Sequence, residues 1–523
     1  MASVLSSSPA PAFGKEDRGG ECRTPEEMLA FYRREFGPAP LLVVTNREPV
    51  VWEGAGTLSF PPGGVSQTIH RLLGRVGGEW IALRDSGGPD LLRIPPPGEA
   101  PEGPGYRLKR LSLPDKVREA HYAGFSNGVL WPLFHDDPDR VVESGDSFEA
   151  YVQVNRRLAG RVVESLATLA PGAIWIHDYQ LALVAREIRR MAGDHLPPLA
   201  FFWHIPWVEI SFAADRPWLS ELVDGLLFHD RIGFQTERYR DSFLDTVRLL
   251  YGNRASWDGR HLSVMTDNGL RTLSLGVFPV SIDPAYFDRL SRDPAGVRAA
   301  REILREAGLL GPCEEIRPYL ISVERMDYSK GFLERVEILE ALFTRYPSRI
   351  GTLSLLQVAP PSRQSVGAYR RYAEKVQAAV ERLNATFGRE DWIPVRTIAR
   401  SLPQSVLAPL YRLSEGCLIT ATADGMNLVA KEFLASLKGG DGVLFLSRHT
   451  GAAQTMEGLT LIDPFDPLLS ARLIHQGLSL DREIRRRRND RALALIERDN
   501  VCRWMAENLR SLGSLRVPAP LRR

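Results

Sequence analysis

The sequence predicts an α/β protein with two doubly wound, Rossmann-like domains that face a cleft. Short apolar runs rich in β-branched residues recur along the first half, and helical patterns separate several of them. The same alternation starts again near residue 318. Continuous apolar runs that alternate with helices indicate a parallel sheet covered on both faces.

The predicted strands can be followed in order along the chain. In the first half they are LLVVTN, EWIAL, AIWIHD, LAFFWH, RIGFQT and TLSLGVFPV. In the second half they are PYLISVER, GTLSLLQVAP, IPVRTIA, EGCLIT and GVLFLS. Order is expected to begin at Thr24, where TPEE combines an N-cap threonine, a first-turn proline and a capping glutamate. The stretch GYRLKRLSLPDKVREAHY and the proline-rich segment before it are expected to form a surface excursion.

These patterns divide the chain into four segments. Residues 1–22 are rich in Ser, Pro and Gly and are expected to be disordered. Residues 23–280 form the first Rossmann-like domain, and FPVSIDPAYF marks a hinge near residue 280. Residues 281–485 then form the second domain. The last segment, 486–523, is expected to be a C-terminal helix and tail that could pack back on the first domain.

The composition is that of a globular chain without a dominant charge. Its 523 residues are 44% hydrophobic and 25% charged, and 66 Lys plus Arg against 64 Asp plus Glu leave a net charge of +2. No overall field therefore favours nucleic acid or a membrane surface, and no stretch approaches the roughly 18 apolar residues of a membrane span. The four cysteines lie far apart without a CxxC pair, which favours a reducing setting. We expect a cytoplasmic protein, which could form a homo-oligomer.

Several common cofactor motifs are absent. No GxGxxG follows the first strand, and neither a P-loop GxxxxGK nor HExxH occurs. Dehydrogenase, P-loop and zincin functions therefore lose their main support. The acidic run HDDPD is expected to be a loop rather than a metal site. We expect no metal and no cofactor.

Polar residues follow the predicted strands of the first half, at the edge where such sheets bind ligands. These residues are Asn46, Arg47, His177, Asp178 and His204. Because the two histidines end neighbouring strands, they predict a pocket wall. The glycine pair Gly63 and Gly64 would let backbone N–H groups approach a phosphate or a sugar closely.

In the second half, cationic residues follow the predicted strands. Arg325 follows a strand, and Lys330 comes five residues later. Two cations at this spacing suit a diphosphate leaving group, whose developing charge they could compensate without a metal. Ser362 and Arg363 end the next strand.

The stretch ATADGMNLVAKEF places several polar residues at the start of a helix, which is expected to begin near Met426 or Asn427. Free N–H groups and the positive dipole end at such a helix start form an anion site. One turn inside, Glu432 could reach ribose hydroxyls with its carboxylate oxygens.

From about residue 40 to about residue 510 the chain resembles the trehalose-6-phosphate synthases, retaining glycosyltransferases of the GT-B architecture. The motifs that carry the resemblance occur in the family's order and at similar separations. They are TNREPV, PPGGV, YAGFSNGVLWPLFH, WIHDYQL, FFWHIPW, GFQT, SVERMDYSKG, QVAPPSR, DGMNLVAKEF and GAAQ.

The resemblance implies transfer of glucose from UDP-glucose to glucose 6-phosphate with retention, giving trehalose 6-phosphate and UDP. It implies an acceptor-binding first domain and a second domain that binds the nucleotide sugar. The expected donor-binding residues are Gly63, Gly64, Arg325, Lys330, Asp424, Gly425, Met426, Asn427, Leu428 and Glu432. The expected acceptor-binding residues are Arg47, Tyr122, Trp131, Asp178 and Arg363. The expected catalytic residues are Asp178, His204, Arg325, Lys330 and Asp424.

The chain departs from the family pattern in two places. Ala421, Thr422 and Ala423 stand where relatives usually have Pro-Leu-Arg, and HIPWVEISF replaces the more usual HIPFPPPEIF. Donor and acceptor choice therefore stay open. The alternatives are a transferase with another phosphorylated acceptor such as glycerol 3-phosphate, a pseudo-glycosyltransferase, a nucleotide-sugar epimerase and a non-catalytic sugar-phosphate sensor. The Arg47 and Arg363 pair argues against the epimerase, which needs no second phosphate pocket.

Overall fold

A computed structural model describes residues 22–54, 57–59, 64–96, 103–363 and 367–513. In these residues the chain forms a ten-stranded sheet, a six-stranded sheet and a two-stranded hairpin. The predicted fold class, α/β with two doubly wound sheets, is confirmed. Of segment 1–22, predicted to be disordered, all but Cys22 lies outside the described residues, as does Gly63.

The strands of the first half form the ten-stranded sheet and the hairpin. In chain order they are β1 (Leu41–Arg47), β2 (Val51–Gly54), β3 (Thr57–Ser59), β4 (Gly78–Leu83), β5 (Leu91–Ile94), β6 (Tyr106–Leu111), β7 (Ala173–His177), β8 (Leu199–Phe202), β9 (Arg231–Phe234), β10 (Ala255–Trp257), β11 (His261–Thr266) and β12 (Gly269–Val277). The hairpin pairs β2 with β3, and the sheet order is β10-β11-β12-β9-β8-β7-β1-β4-β6-β5. From β12 to β6 the neighbours are parallel, whereas β10, β11 and β5 add antiparallel edges.

The helices of the first half lie between these strands. They are α1 (Pro25–Phe36), α2 (Gly64–Val76), α3 (Asp115–Glu119), α4 (Trp131–Phe134), α5 (Ser147–Leu166), α6 (Val184–Ala192), α7 (Pro217–Leu227) and α8 (Glu237–Tyr251). An eleven-residue π-helix, Ala120–Leu130, joins α3 to α4. The predicted capping box at Thr24 is confirmed, because Thr24 accepts from Glu27 N at 3.2 Å while the Glu27 carboxylate accepts from Thr24 N at 2.9 Å.

The six-stranded sheet is entirely parallel. Its strands are β13 (Tyr319–Val323), β14 (Ser354–Val358), β15 (Val395–Ile398), β16 (Gly416–Ile419), β17 (Val443–Ser447) and β18 (Thr460–Ile462), in the order β15-β14-β13-β16-β17-β18. The helices of this half are α9 (Pro284–Arg292), α10 (Pro294–Glu306), α11 (Phe332–Arg345), α12 (Gly367–Phe387), α13 (Gln404–Leu413), α14 (Leu428–Ser436), α15 (Pro467–Ser479), α16 (Arg482–Arg498) and α17 (Val501–Gly513). β14, β16 and β17 are buried along their whole length, as expected for strands covered on both faces.

The last helix returns to the first sheet. Residues 278–283 connect β12 to α9, and Val501 N donates to Ile282 O at 3.0 Å where the chain crosses back. The Trp504 ring lies 5.4 Å from the Trp175 and Phe202 rings of the first sheet, and its Nε1 donates to Phe278 O at 3.0 Å. Helix α17 therefore helps to cover the first sheet, while the domain boundaries drawn from the sequence stay a prediction.

The predicted surface excursion is wrong for residues 106–111. This segment forms β6, which pairs with β4 on one side and β5 on the other. Its charged residues are paired inside the protein: Arg110 Nε donates to Glu48 Oε2 at 2.5 Å, and Lys109 lies 3.2 Å from Glu79. The part of the preceding proline-rich segment at 97–102 lies outside the described residues.

None of the described helices is both long and apolar enough to cross a lipid bilayer.

Candidate active site

The carboxyl ends of the parallel strands place polar residues from both halves at one cleft. Two hydrogen bonds join the halves there. Tyr239 Oη, from α8, donates to Asp424 O at 3.1 Å, and Trp131 Nε1, from α4, donates to Asp327 Oδ1 at 3.3 Å. Since Asp327 and Asp424 follow β13 and β16, the ends of the second sheet face the first half.

A charged cluster lies at the end of β16. Lys330 Nζ donates to Asp424 Oδ2 at 2.7 Å, and Asn427 Nδ2 donates to the same oxygen at 3.1 Å. Burial alone would raise the pKa of Asp424, but the Lys330 charge and these two hydrogen bonds hold the pKa below its ordinary value. The cluster keeps a lysine ammonium fixed in the cleft.

Helix α14 begins where the sequence predicts. Asn427 is its N-cap, with a left-handed φ of 82°, and its side chain accepts from Ala430 N at 3.1 Å. The first residue of the helix is Leu428, and Met426 before it is buried. The positive end of the helix dipole therefore points toward the cluster that contains Lys330.

Gly425 lies at a close contact between the two halves. A Cβ atom at this position would lie 2.1 Å from His204 O and 3.1 Å from Ile205 Cα. No side chain can occupy that space without moving the backbone after β8. Glycine at this position therefore permits the contact between the halves.

The residues that depart from the family pattern are well anchored. Thr422 N and Oγ1 both donate to Ser329 O, at 2.9 and 3.2 Å. Ser447 Oγ donates to Ala421 O at 2.6 Å, and Ala423 is buried. The loop is thus held largely by backbone contacts that do not require Pro-Leu-Arg.

The second change, at Trp207, is also accommodated by packing. The Trp207 side chain is fully buried, and its Nε1 donates to Thr246 Oγ1 at 3.0 Å. Its ring lies 4.6 Å from both the Phe134 and Trp203 rings. The large ring therefore fills the core behind the cleft.

Two further residues that were predicted to bind the donor, Arg325 and Glu432, differ in exposure. Arg325 is exposed and has no hydrogen-bond or ion-pair partner among the described residues, so its guanidinium is available to a ligand. Glu432 is only 8% exposed, and burial raises its pKa to about 7. Its side chain lines a cavity of about 60 Å³ together with Ser281 and Gln404.

Arg363, which was predicted to bind the acceptor, is buried. The Arg363 guanidinium lies 3.9 Å above the Trp131 ring, and its Nη1 donates to Asp327 Oδ2 at 2.9 Å and to the Tyr369 hydroxyl. Its backbone has a φ of 46°, which a non-glycine residue seldom adopts. The buried Arg363 Nε has no partner among the described residues. One donor of this cation is therefore buried without being committed to a described protein group.

Arg47 and Tyr122 line a neighbouring cavity of about 420 Å³. Arg47 is exposed, and its Nε lies 3.5 Å from Asp85. Burial raises the pKa of Asp85 against the lowering effect of Arg47. Tyr122 lies in the π-helix. The cavity thus brings together two of the residues that were predicted to bind the acceptor.

The two histidines of the predicted pocket wall are in contact. His177 Nδ1 and His204 Nε2 lie 3.1 Å apart. Burial lowers the pKa of His204 to about 3, so the ring is neutral near pH 7. Asp178 has a φ of 78°, and its carboxylate accepts from Tyr179 N at 2.9 Å. Burial raises the pKa of Asp178 to about 6, against the lowering effects of Arg363 and Arg325.

Most predicted site residues therefore come together at the cleft. Gly64 begins α2, and Gly63 cannot be placed because it lies outside the described residues. Sequence reasoning missed Asp327 and Tyr369, although Asp327 lies within the quoted motif SVERMDYSKG. In the described part of the chain, no group of three or more His, Cys, Asp or Glu side chains is arranged to hold a metal ion. The individual binding roles stay predictions.

Comparison with known proteins identifies the family. The profile described as Glycosyltransferase family 20 matches residues 104–514. A trehalose-6-phosphate synthase of Sinorhizobium fredii is 32% identical over 484 residues, covering 90% of this chain and 98% of the relative. An E. coli structure bound with UDP-2-fluoro glucose is 28% identical with a TM-score of 0.78, covering 91% of this chain and 99% of that one. A Burkholderia xenovorans synthase in complex with glucose-6-phosphate is 29% identical with a TM-score of 0.78, covering 91% and 100%. The chain belongs to glycosyltransferase family 20, the trehalose-6-phosphate synthase family.

Proposed function

We propose that the cleft transfers glucose from UDP-glucose to glucose 6-phosphate with retention, forming trehalose 6-phosphate and UDP. The observation that supports this most directly is that the cleft holds two separately anchored cations. Lys330 lies 2.7 Å from Asp424 on the proposed donor side, and Arg363 lies 2.9 Å from Asp327 on the proposed acceptor side. Two such cations suit the diphosphate of one substrate and the phosphate of the other.

On the donor side, Arg325 and Lys330 bind the diphosphate. Arg325 is exposed and unpaired among the described residues, and Lys330, which donates to Asp424, has further ammonium protons for a phosphate oxygen. The N-terminus of α14 adds its dipole. As the bond to the glucosyl carbon breaks, negative charge develops on the leaving phosphate, and these groups stabilise it. Glu432 binds the ribose.

On the acceptor side, Arg363 and Arg47 bind the phosphate of glucose 6-phosphate. The Arg363 guanidinium supplies positive charge, and its Nε, buried without a partner among the described residues, is the donor not yet committed to the protein. Trp131 and Tyr122 form walls of this pocket, and Asp178 accepts hydrogen bonds from the sugar hydroxyls. This arrangement orients the anomeric hydroxyl toward the donor.

The transfer occurs on one face of the donor sugar. The acceptor oxygen forms the new bond to the glucosyl carbon while the bond from that carbon to the UDP phosphate breaks, and the hydroxyl proton moves to the leaving phosphate. His204 is neutral at pH 7 and lies beside Gly425, where it can orient the transferred glucose. Contact between the halves excludes water as a competing acceptor.

One assay tests this function. Purified protein is incubated with UDP-glucose, with and without glucose 6-phosphate, and both UDP release and the sugar product are followed. Acceptor-dependent UDP release and a non-reducing disaccharide phosphate are expected. Turnover with glycerol 3-phosphate but not glucose 6-phosphate would contradict the acceptor, and epimerised nucleotide sugar would contradict the reaction. Absence of turnover with any nucleotide sugar would favour a sensor.

The proposed partners are these two small molecules. The E. coli structure holds UDP-2-fluoro glucose and the B. xenovorans structure holds glucose-6-phosphate. The cytoplasmic setting and a homo-oligomeric state stay predictions. The same holds for an acceptor-binding domain at 23–280, a nucleotide-sugar-binding domain at 281–485 and a C-terminal segment at 486–523.

A further inference from the structure

Asp327 lies between the two donor cations in the sequence but contacts the acceptor side in the fold. Its side chain is fully buried. Oδ1 accepts from Trp131 Nε1 at 3.3 Å and from Ser329 N and Oγ, each at 3.2 Å. Oδ2 accepts from Arg363 Nη1 at 2.9 Å. One carboxylate therefore joins an aromatic residue of the first half to a cation of the second half.

We propose that Asp327 is a positioning residue of the acceptor site, whose carboxylate fixes the Trp131 indole and the Arg363 guanidinium in the arrangement that binds the acceptor phosphate. This inference rests on the proposed function of the cleft. It assigns Asp327 a task different from that of Arg325 and Lys330 on either side of it.

The burial of Arg363 explains why a carboxylate is needed. Only 5% of the Arg363 side chain is exposed, and a buried guanidinium without an anionic partner is strongly destabilised. Asp327 supplies the partner on Nη1, and the Trp131 ring covers one face of the cation at 3.9 Å. The guanidinium is then held in one orientation, with Nε unpaired among the described residues.

The same contacts restrict how Trp131 can act. Its indole N–H is already donated to Asp327, so this donor is not available to the acceptor. Because Trp131 and Asp327 belong to different halves, this arrangement forms only when the halves are in contact. Acceptor binding and closure of the cleft are therefore linked through Asp327.

A purely local role is the competing explanation. Asp327 is the N-cap of the short helix Tyr328–Lys330 and accepts from Ser329 N, as aspartates often do in turns. The substitution Asp327→Asn separates the two roles. The amide oxygen can still accept from the three groups that donate to Oδ1. The amide nitrogen would then face Arg363 Nη1, and because both are donors they cannot form a hydrogen bond.

The test compares Asp327→Asn with Asp481→Asn. Asp481 caps α16 and accepts from Glu483 N at 2.8 Å, the same spacing of two residues, but it is exposed. For Asp327→Asn we expect the KM for glucose 6-phosphate to rise about tenfold or more, as for loss of a charged hydrogen bond. The KM for UDP-glucose should stay within about threefold. The control should change neither.

Two outcomes would overturn the inference. One is a lower Tm with both KM values unchanged, and the other is a parallel rise of both KM values. In an Arg363→Ala background, adding Asp327→Asn should raise the acceptor KM by a smaller factor than in the wild-type background, because part of the effect of Asp327 passes through that arginine. Full additivity would contradict this.

A second variant tests the same inference if Asp327→Asn does not fold. Trp131→Phe retains an aromatic face beneath Arg363 and removes the N–H that reaches Asp327, together with the five-membered ring that carries it. We expect the same acceptor-selective rise in KM, and an unchanged acceptor KM would overturn the inference. Wild-type protein decides the proposed function separately: if it releases no UDP with glucose 6-phosphate, that function fails, whereas an active wild type with unaffected variants refutes only the role of Asp327.

Discussion

Replacing Lys330 with alanine should slow glucosyl transfer much more than it weakens acceptor binding. The Lys330 ammonium lies 2.7 Å from Asp424 Oδ2, and only 12% of the lysine side chain is exposed. In the proposed reaction this cation meets the leaving diphosphate. Its removal leaves the Asp424 carboxylate unpaired beside a developing negative charge.

The magnitude follows from these two effects. Losing one preorganised group that stabilises transition-state charge costs about 2.7–4 kcal/mol, or a factor of about 10² to 10³ in kcat. The unpaired Asp424 adds repulsion, so we expect Lys330→Ala to fall at the upper end, near a thousandfold loss of kcat. The KM for glucose 6-phosphate should change by less than about threefold, because the acceptor does not contact Lys330.

The assay is steady-state UDP release with both substrates varied. The matched control is Lys438→Ala, which breaks a 3.0 Å pair with Glu497 on the surface, where the two side chains are 53% and 44% exposed. That pair should be worth less than about 1 kcal/mol and should not affect kinetics. If kcat for Lys330→Ala stayed within about tenfold of wild type, Lys330 would not be a main source of charge stabilisation.

Three further predictions concern packing and protonation. Gly425→Ala should reduce kcat/KM by more than about tenfold, because its Cβ would lie 2.1 Å from His204 O and must separate the halves. Glu432→Gln should raise the Tm of the unliganded protein at pH 8 and change it little at pH 5. Burial raises the pKa of Glu432 to about 7, so the folded state loses stability as pH rises from the ordinary glutamate range through that value. Trp504→Ala should lower the free energy of unfolding by about 3–5 kcal/mol in denaturant titrations, because this ring of α17 is buried against the first sheet.

Each of these predictions has a control. Gly160→Ala adds a Cβ that meets nothing within 4 Å, so its activity should equal that of wild type. Equal Tm gains for Glu432→Gln at both pH values would exclude ionisation as the cause. Phe212→Ala removes a ring that is 52% exposed and should change stability by less than about 1 kcal/mol. A similar loss for Phe212→Ala and Trp504→Ala would show that the buried position of Trp504 is not decisive.

The sequence predicts the elements whose signals are local. The start of α14 follows from Asn427 and the apolar run after it, and the start of α1 follows from the capping box at Thr24. Strands such as β7 are continuous apolar runs buried along their length. In each case the residues that determine the element are neighbours in the chain.

The missed strand β6 depends on distant partners. Its sequence, YRLKRL, contains three cations that suggest solvent exposure. In the fold Glu48 neutralises Arg110, and Glu79 meets both Arg107 and Lys109. No local pattern identifies these carboxylates, which come from other segments of the first half.

The site shows the same limit. Arg325, Lys330 and Arg363 can be recognised as strand-end cations. Asp327 binds Trp131 and Arg363 rather than the cations beside it in the sequence. These partners are 196 and 36 residues away along the chain, so no local pattern predicts them. Tyr369 carries no sequence signal, because a tyrosine in an amphipathic helix is typical of a core residue.

The position of α17 has a consequence for how the protein folds during synthesis. This helix leaves the ribosome after every strand of both sheets, yet Trp504 packs against Trp175 and Phe202 of the first sheet. Until it arrives, those apolar rings lack part of their cover. The first sheet therefore completes its surface last, and a nascent chain that stalls before residue 501 would expose an apolar patch on the half that was made first.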